Sequence, residues 1–175
     1  MGFQEDTDTR LDMHRAWLLL GANLGDAGIT FRKALQKMEE SGVGVVRTSA
    51  LYRSEAWGEG VQGFFYNQAL EVIMDKKPLA LLKLLNAIEL SLGRKRTPGV
   101  IESRPVDIDI LFFDDVVVSL PELVIPHPRL HLRRFVLMPL CEIAPFHMHP
   151  LLGKTVSDLL QESSDSLLVE KIGNA

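Results

Sequence analysis

The chain has 175 residues, 46% of them hydrophobic, with a formal net charge of −4 and a single cysteine, Cys141. That length and apolar content fit one globular domain with a sizeable core and exclude a disordered chain. The acidic balance argues against a nucleic-acid coat, the lone thiol fits a reducing cytoplasm, and no apolar run reaches membrane-spanning length.

Residues 1–13 are polar and acidic up to Asp12 and do not resemble a secretory signal, so they are read as a flexible extension before one domain over 14–175. Residues 16–20, Ala-Trp-Leu-Leu-Leu, form a buried strand that Gly21-Ala-Asn-Leu-Gly25 breaks. Asp26 can cap a helix whose face is Phe31, Ala34, Leu35 and Met38. Residues 45–53 are β-branched enough for a second strand, and 54–63 read as a loop. Phe64 to Met74 is a third strand, and Pro78 opens a helix with Leu81, Leu82, Leu85, Ile88 and Leu92 on one face. Residues 94–103 form a polar loop before a fourth strand over 106–113, which Asp114-Asp115 can turn into Val116-Val117-Val118. A helix is expected across residues 134–143, and Thr155-Val-Ser-Asp158 resembles a helix start.

The order through residue 113 is β-α-β-β-α-β. The fold class is therefore α+β, with a ferredoxin-like core and a C-terminal extension wrapping the open sheet face. Right-handed crossovers would gather the loops at 21, 54–63 and 94–104 on one rim, with Asn67 and Asp107 near it.

The fourth strand carries the most informative pattern, Arg104-Pro-Val-Asp107-Ile-Asp109-Ile-Leu111. Val106, Ile108, Ile110 and Phe112 alternate on one face, which places Asp107 and Asp109 together on the other, roughly 6.5–7 Å apart. Two carboxylates at that distance repel by roughly 2 kcal/mol at an effective dielectric near 20. Either water on a solvated outer face or a cation can offset this, and Mg²⁺ favours one or two carboxylates plus substrate phosphates. Arg104, three residues before the pair, tips the balance toward phosphate chemistry.

Other signals are weaker. Gly21-Ala-Asn-Leu-Gly25 could cradle phosphate, but it lacks the third glycine of a dinucleotide fingerprint and a plain turn is the simpler reading. Gly153-Lys154-Thr155 echoes a phosphate-loop ending, yet the glycine required at 148 is methionine. His127 lies between Pro126 and Pro128, where a rigidly held imidazole can be structural or can donate to phosphate. Histidines 127, 147 and 149 lack the spacing of a zinc set.

Several blocks occur in an order that resembles one family. They are Gly21-Ala-Asn-Leu-Gly25, Leu51-Tyr52-Arg53, Phe65-Tyr66-Asn67, Ile88-Glu89-Leu90 through Gly93-Arg94, the Asp107/Asp109 strand, Pro126-His127-Pro-Arg-Leu130 and Arg133-Arg-Phe135-Val-Leu-Met-Pro-Leu140. Over about residues 16–160 the chain resembles 6-hydroxymethyl-7,8-dihydropterin pyrophosphokinase, an enzyme of folate synthesis. The resemblance implies transfer of the β,γ-diphosphate of ATP to a pterin hydroxymethyl group. It implies two Mg²⁺ ions on Asp107 and Asp109, and phosphate contacts from Arg94 and Arg104. It implies a nucleotide site at Glu89, Ile110, His127 and Arg133, and a pterin site at Ser54, Trp57, Phe65, Asn67 and Phe135. It also implies a cytoplasmic monomer acting on small molecules, with neither nucleic acid nor membrane as partner. A palm-like two-metal nucleotidyl enzyme, or a catalytically weak pterin- or nucleotide-binding family member, are the rival readings. The chain departs from the family pattern at Glu102-Ser103, where Gly-Pro is usual, at Ile101, and at Glu55-Ala56-Trp57.

Overall fold

The computed structural model describes residues 12–56, 63–94 and 105–173. A six-stranded sheet comprises β1 (His14–Ala22), β2 (Gly44–Thr48), β3 (Leu51–Glu55), β4 (Phe64–Met74), β5 (Asp107–Phe113) and a last strand, β8 (Val169–Gly173). Its order is β5-β1-β4-β3-β8, with β2 alongside β3 on the same edge of β4, and every pairing is antiparallel. A separate hairpin joins β6 (Val118–Leu120) to β7 (Leu123–Ile125).

Both faces of the sheet are covered, which explains the unbroken apolar run of β1. Leu18 and Leu20 enter one cluster with Phe31, Met38, Leu81 and Leu85, from helices α1 (Ala27–Glu40) and α2 (Pro78–Ser91). Trp17 and Leu19 enter another with Val136, Leu137 and Leu140, from α3 (Arg134–Ile143), and Leu159, from α4 (Val156–Glu162). Capping accounts for the starts of α1 and α4. The Asp26 side chain accepts from the Ile29 N–H at 2.9 Å, and Thr155 and Asp158 form a reciprocal capping box.

Four expectations are corrected by the structure. The strand read as 45–53 is two strands, because the ladder is interrupted at Ser49 and Ala50, where the Ser49 N–H still donates to Ala69 O at 2.9 Å but Ser49 Oγ, not its carbonyl, accepts from Ala69 N at 2.9 Å. Ser54 belongs to β3, opposite Phe65, rather than to a loop. Phe112 does not share a face with Ile108 and Ile110. Ile110 stands opposite Leu18 but Phe112 opposite Trp17, so Leu111 is an extra residue, a β-bulge that sends Phe112 to the α3 side. Val118 pairs with Ile125 in the β6–β7 hairpin.

The α3 side holds a half-buried histidine, His147, and a buried one, His149. His147 lies 4.0 Å from the Trp17 ring and 4.5 Å from the Phe112 ring, and His149 is buried. Burial lowers both pKa values, despite the opposing pull of Asp115 and Glu71 on His147. The unfolded chain then binds protons near pH 6.5 that the folded chain refuses, so the stability they contribute is lost as pH falls. The urea midpoint is expected to drop between pH 7 and pH 5, and His147→Phe to flatten that slope. A wild-type midpoint constant over this range would contradict the assignment.

Candidate active site

One row of residues crosses the sheet beneath α3. Tyr52 on β3 faces Asn67 on β4, Asn67 faces Gly21 on β1, and Gly21 faces Asp107 on β5. Period-two alternation adds Ser54, Phe65 and Asp109 to the same face. Gly21 is the low point of this row. A Cβ there would come 3.3 Å from Asn67 Oδ1, so glycine leaves the sheet open between the asparagine and the aspartate.

Asn67 is 3% exposed, and its amide nitrogen is buried without a hydrogen-bond partner. An unsatisfied buried N–H₂ costs about 1–3 kcal/mol, a cost that a ligand acceptor would remove. Phe65 and Phe135 are both half-buried. Phe135, in the first turn of α3, packs against the cluster of Ala50, Tyr52 and Val169.

At the β5 end, Arg94 joins Glu89 to Asp107. Its Nη1 donates to Asp107 Oδ1 at 2.6 Å and also to Glu89 Oε2. Glu89 is 1% exposed, and its other oxygen accepts from the Ile108 N–H at 2.7 Å. Burial pushes the Glu89 carboxyl above its ordinary range, with the Ile108 N–H and Arg94 pulling the other way. Burial also works against the Arg94 charge, but Asp107 and Glu89 outweigh it and hold the guanidinium above its usual pKa.

His127, Arg129 and Arg133 share this electrostatic neighbourhood. The His127 N–H donates to Leu111 O at 2.9 Å, and its Nδ1 accepts from Arg129 N at 3.2 Å. Burial, reinforced by Arg133 and Arg129, lowers the imidazole to about 4, although Asp107 pulls it up. Burial and Arg129 likewise lower Arg133, opposed by Asp109 and Asp107. Arg133 also lies over the Phe135 ring, 5.6 Å from its centroid. A cleft follows the outer edge of β5, walled by Leu82, Ile110, Leu123 and Val124, with Asp109 and His127 among its lining residues.

The structure thus brings Ser54, Phe65, Asn67, Asp107, Asp109 and Phe135 to one covered face. Glu89, Arg94, Ile110, His127 and Arg133 lie around its β5 edge. Trp57, Arg104 and the Ile101-Glu102-Ser103 departure lie outside the described residues. The sequence marks Gly21 as a strand break, a rim loop and part of a possible phosphate turn, but not as the opening between Asn67 and Asp107. Its signal was a glycine at the end of an otherwise apolar strand, a sign of close backbone approach.

Residues 17–145 match the family described as 7,8-dihydro-6-hydroxymethylpterin-pyrophosphokinase. The chain belongs to this pyrophosphokinase family. Among curated pyrophosphokinase relatives, the protein named 2-amino-4-hydroxy-6-hydroxymethyldihydropteridine pyrophosphokinase of Methylorubrum extorquens is 37% identical over 155 residues, covering 88% of this chain and 96% of that protein. Its namesake in Aquifex aeolicus is 36% identical, covering 87% and 94%. The folic acid synthesis protein fol1 of Pneumocystis carinii is 34% identical over 91% of this chain, which spans only 21% of that longer protein. A crystal structure of Plasmodium falciparum HPPK-DHPS superposes with a TM-score of 0.68 at 18% identity, covering 86% of this chain and 45% of that one, a likeness of fold.

Proposed function

We propose that the chain transfers diphosphate from ATP to 6-hydroxymethyl-7,8-dihydropterin, giving AMP and the pterin diphosphate in folate synthesis. Family membership supplies the reaction class. The observation that carries the assignment of the site is the continuous row Asn67–Gly21–Asp107, which sets a buried, unpaired amide two strands from a carboxylate pair. The finer readings go with it: a ferredoxin-like core, two Mg²⁺ ions, and a cytoplasmic monomer.

Asn67 reads the polar edge of the pterin, with its buried N–H₂ donating to a ring acceptor. Phe65 and Phe135 stack on the flat heterocycle, an arrangement suited to the aromatic quadrupole, and Ser54 and Trp57 border it. The base of ATP enters the apolar cleft between Leu82, Ile110 and the β6–β7 hairpin. There the free edge of β5 presents outward backbone groups at alternate residues; Ile108 N–H already uses its turn on Glu89, and Ile110 is next in phase. His127, Arg133, Arg94 and Arg104 surround the phosphates.

The donor set suits Mg²⁺, because two half-buried carboxylates share one face and their oxygens are the kind of ligand it prefers. Asp107 and Asp109 would hold the two ions, which when bound neutralise phosphate charge and polarise the reacting oxygens. The hydroxymethyl oxygen attacks the β-phosphorus as the bond to the α,β-bridging oxygen breaks. The hydroxyl proton passes to water, and AMP departs with the bridging oxygen. The arginines stabilise the charge that develops as this happens. His127, held neutral by burial and its arginine neighbours, acts as a hydrogen-bond partner rather than a cation near neutral pH.

Incubation with ATP, Mg²⁺ and the reduced hydroxymethylpterin is expected to give AMP and diphosphorylated pterin in equal amounts. ADP as the nucleotide product would overturn the reading. Asn67→Ala is expected to weaken pterin binding about tenfold, on the order of the cost of one unmet buried hydrogen bond, with nucleotide affinity unchanged.

A further inference from the structure

The matched family segment ends at residue 145, yet residues beyond it hold the pterin face together. The first turn of α3 carries Phe135 but is poorly held by its own helix. Arg133, the N-cap residue, makes no side-chain capping bond. Pro139 has no N–H to donate to the Phe135 carbonyl four residues earlier. The missing support comes from the C-terminal segment. Asp165 Oδ2 accepts from the Arg134 N–H at 2.8 Å, placing an anion at a helix N-terminus whose first turn has no acidic residue. Asp165 is itself fixed, since its Oδ1 accepts from Leu167 N at 3.0 Å.

The other end of α3 is held by the same segment. Glu142 accepts from the Tyr52 hydroxyl at 2.6 Å and the Ala50 N–H at 3.1 Å, and pairs with Lys171 Nζ at 3.3 Å. Lys171 stands opposite Tyr52 in the β3–β8 pairing, and Val169 opposite Ser54. Val169, Tyr52 and Ala50 then form the surface on which Phe135 rests.

We infer that residues 163–173 are a positioning element of the pterin pocket, fixing the first turn of α3 so that Phe135 stands at the right height above Asn67 and Ser54. This rests on the pterin reading of that face. Asp165 touches no substrate; it acts through α3 and Phe135.

Calorimetric titration of the full chain with 6-hydroxymethylpterin, in Mg²⁺ and the non-transferring analogue α,β-methylene-ATP, tests it. Asp165→Ala is expected to weaken pterin binding about fivefold, in line with loss of a helix cap, while affinity for the analogue stays unchanged. Asp165→Asn, which keeps an acceptor for Arg134 N–H, should recover most of the loss. Met38→Ala, a cavity in the core on the opposite face of the sheet, controls for general loosening and should leave pterin affinity unchanged. Wild-type pterin affinity in Asp165→Ala, or equal weakening in Met38→Ala, would overturn the positioning role. Failure of the wild-type chain itself to bind the pterin would instead bring down the reading of the pocket, and the inference with it.

Discussion

Replacement of Asp109 by alanine is expected to lower kcat about a thousandfold or more while pterin affinity changes by only a few-fold. The carboxylates share one face of an edge strand, where oxygens on alternate residues can bind a cation together. Their proposed work lies in the transition state, where phosphate charge shifts onto the leaving AMP, and groups that act there move kcat rather than ground-state binding. Asp107→Ala should be at least as severe, because Asp107 also receives Arg94 at 2.6 Å and its loss removes that anchor from the guanidinium. AMP formation at saturating substrates measures the loss of kcat, and calorimetric titration measures pterin affinity. An Asp109→Ala enzyme within tenfold of wild type would refute the proposed metal-holding role.

Glu89→Ala is expected to destabilise the protein by about 3–5 kcal/mol, the usual cost of breaking a buried ion pair from one side. Glu89 is almost fully buried and holds Arg94 with one oxygen and the Ile108 N–H with the other. Its removal leaves a buried backbone N–H without its acceptor on the strand that carries the aspartates. Glu89→Gln keeps an acceptor for Ile108 but not the charge facing Arg94, so it should cost less stability. Arg94 should then fall onto Asp107 more completely, which would raise the KM for ATP. Urea denaturation and ATP saturation curves separate the two losses. Wild-type stability in Glu89→Ala would mean that Arg94 and Ile108 find other partners and that this carboxylate is dispensable.

Where the pattern in the sequence was local, it could be read directly. Asp107 and Asp109 share a face because alternation forces it, and Asp26 caps α1 because a short acceptor before an amphipathic run does so. What depended on long-range pairing could not be read. The bulge at Leu111 follows from how β5 meets β1, a register no local pattern encodes, so alternation alone puts Phe112 on the wrong face. The break at Ser49-Ala50 arises because the Ser49 hydroxyl bonds to Ala69, twenty residues away. The strand β8 is too short and mixed in character to stand out, and it forms because β3 offers it an edge. Among the site residues, Phe135 is supplied by resemblance alone, and the pattern around His127 leaves a structural and a phosphate-donating reading open. A phenylalanine in an apolar helix or a histidine between prolines looks the same whether it packs a core or meets a ligand.

Gly21 makes the sheet a ruler. Asn67 and Asp107 sit on strands either side of β1, so two strand spacings, about 9.5 Å, separate them. On the proposed assignment, a bicyclic ring whose polar edge is anchored at Asn67 must end its hydroxymethyl arm over β1, just short of the carboxylates. A third fused ring would overrun that mark, and a single ring would leave its hydroxyl stranded before it. The backbone spacing of hydrogen-bonded strands, which no side-chain substitution alters, would then select the acceptor by length before any side chain reads its edge.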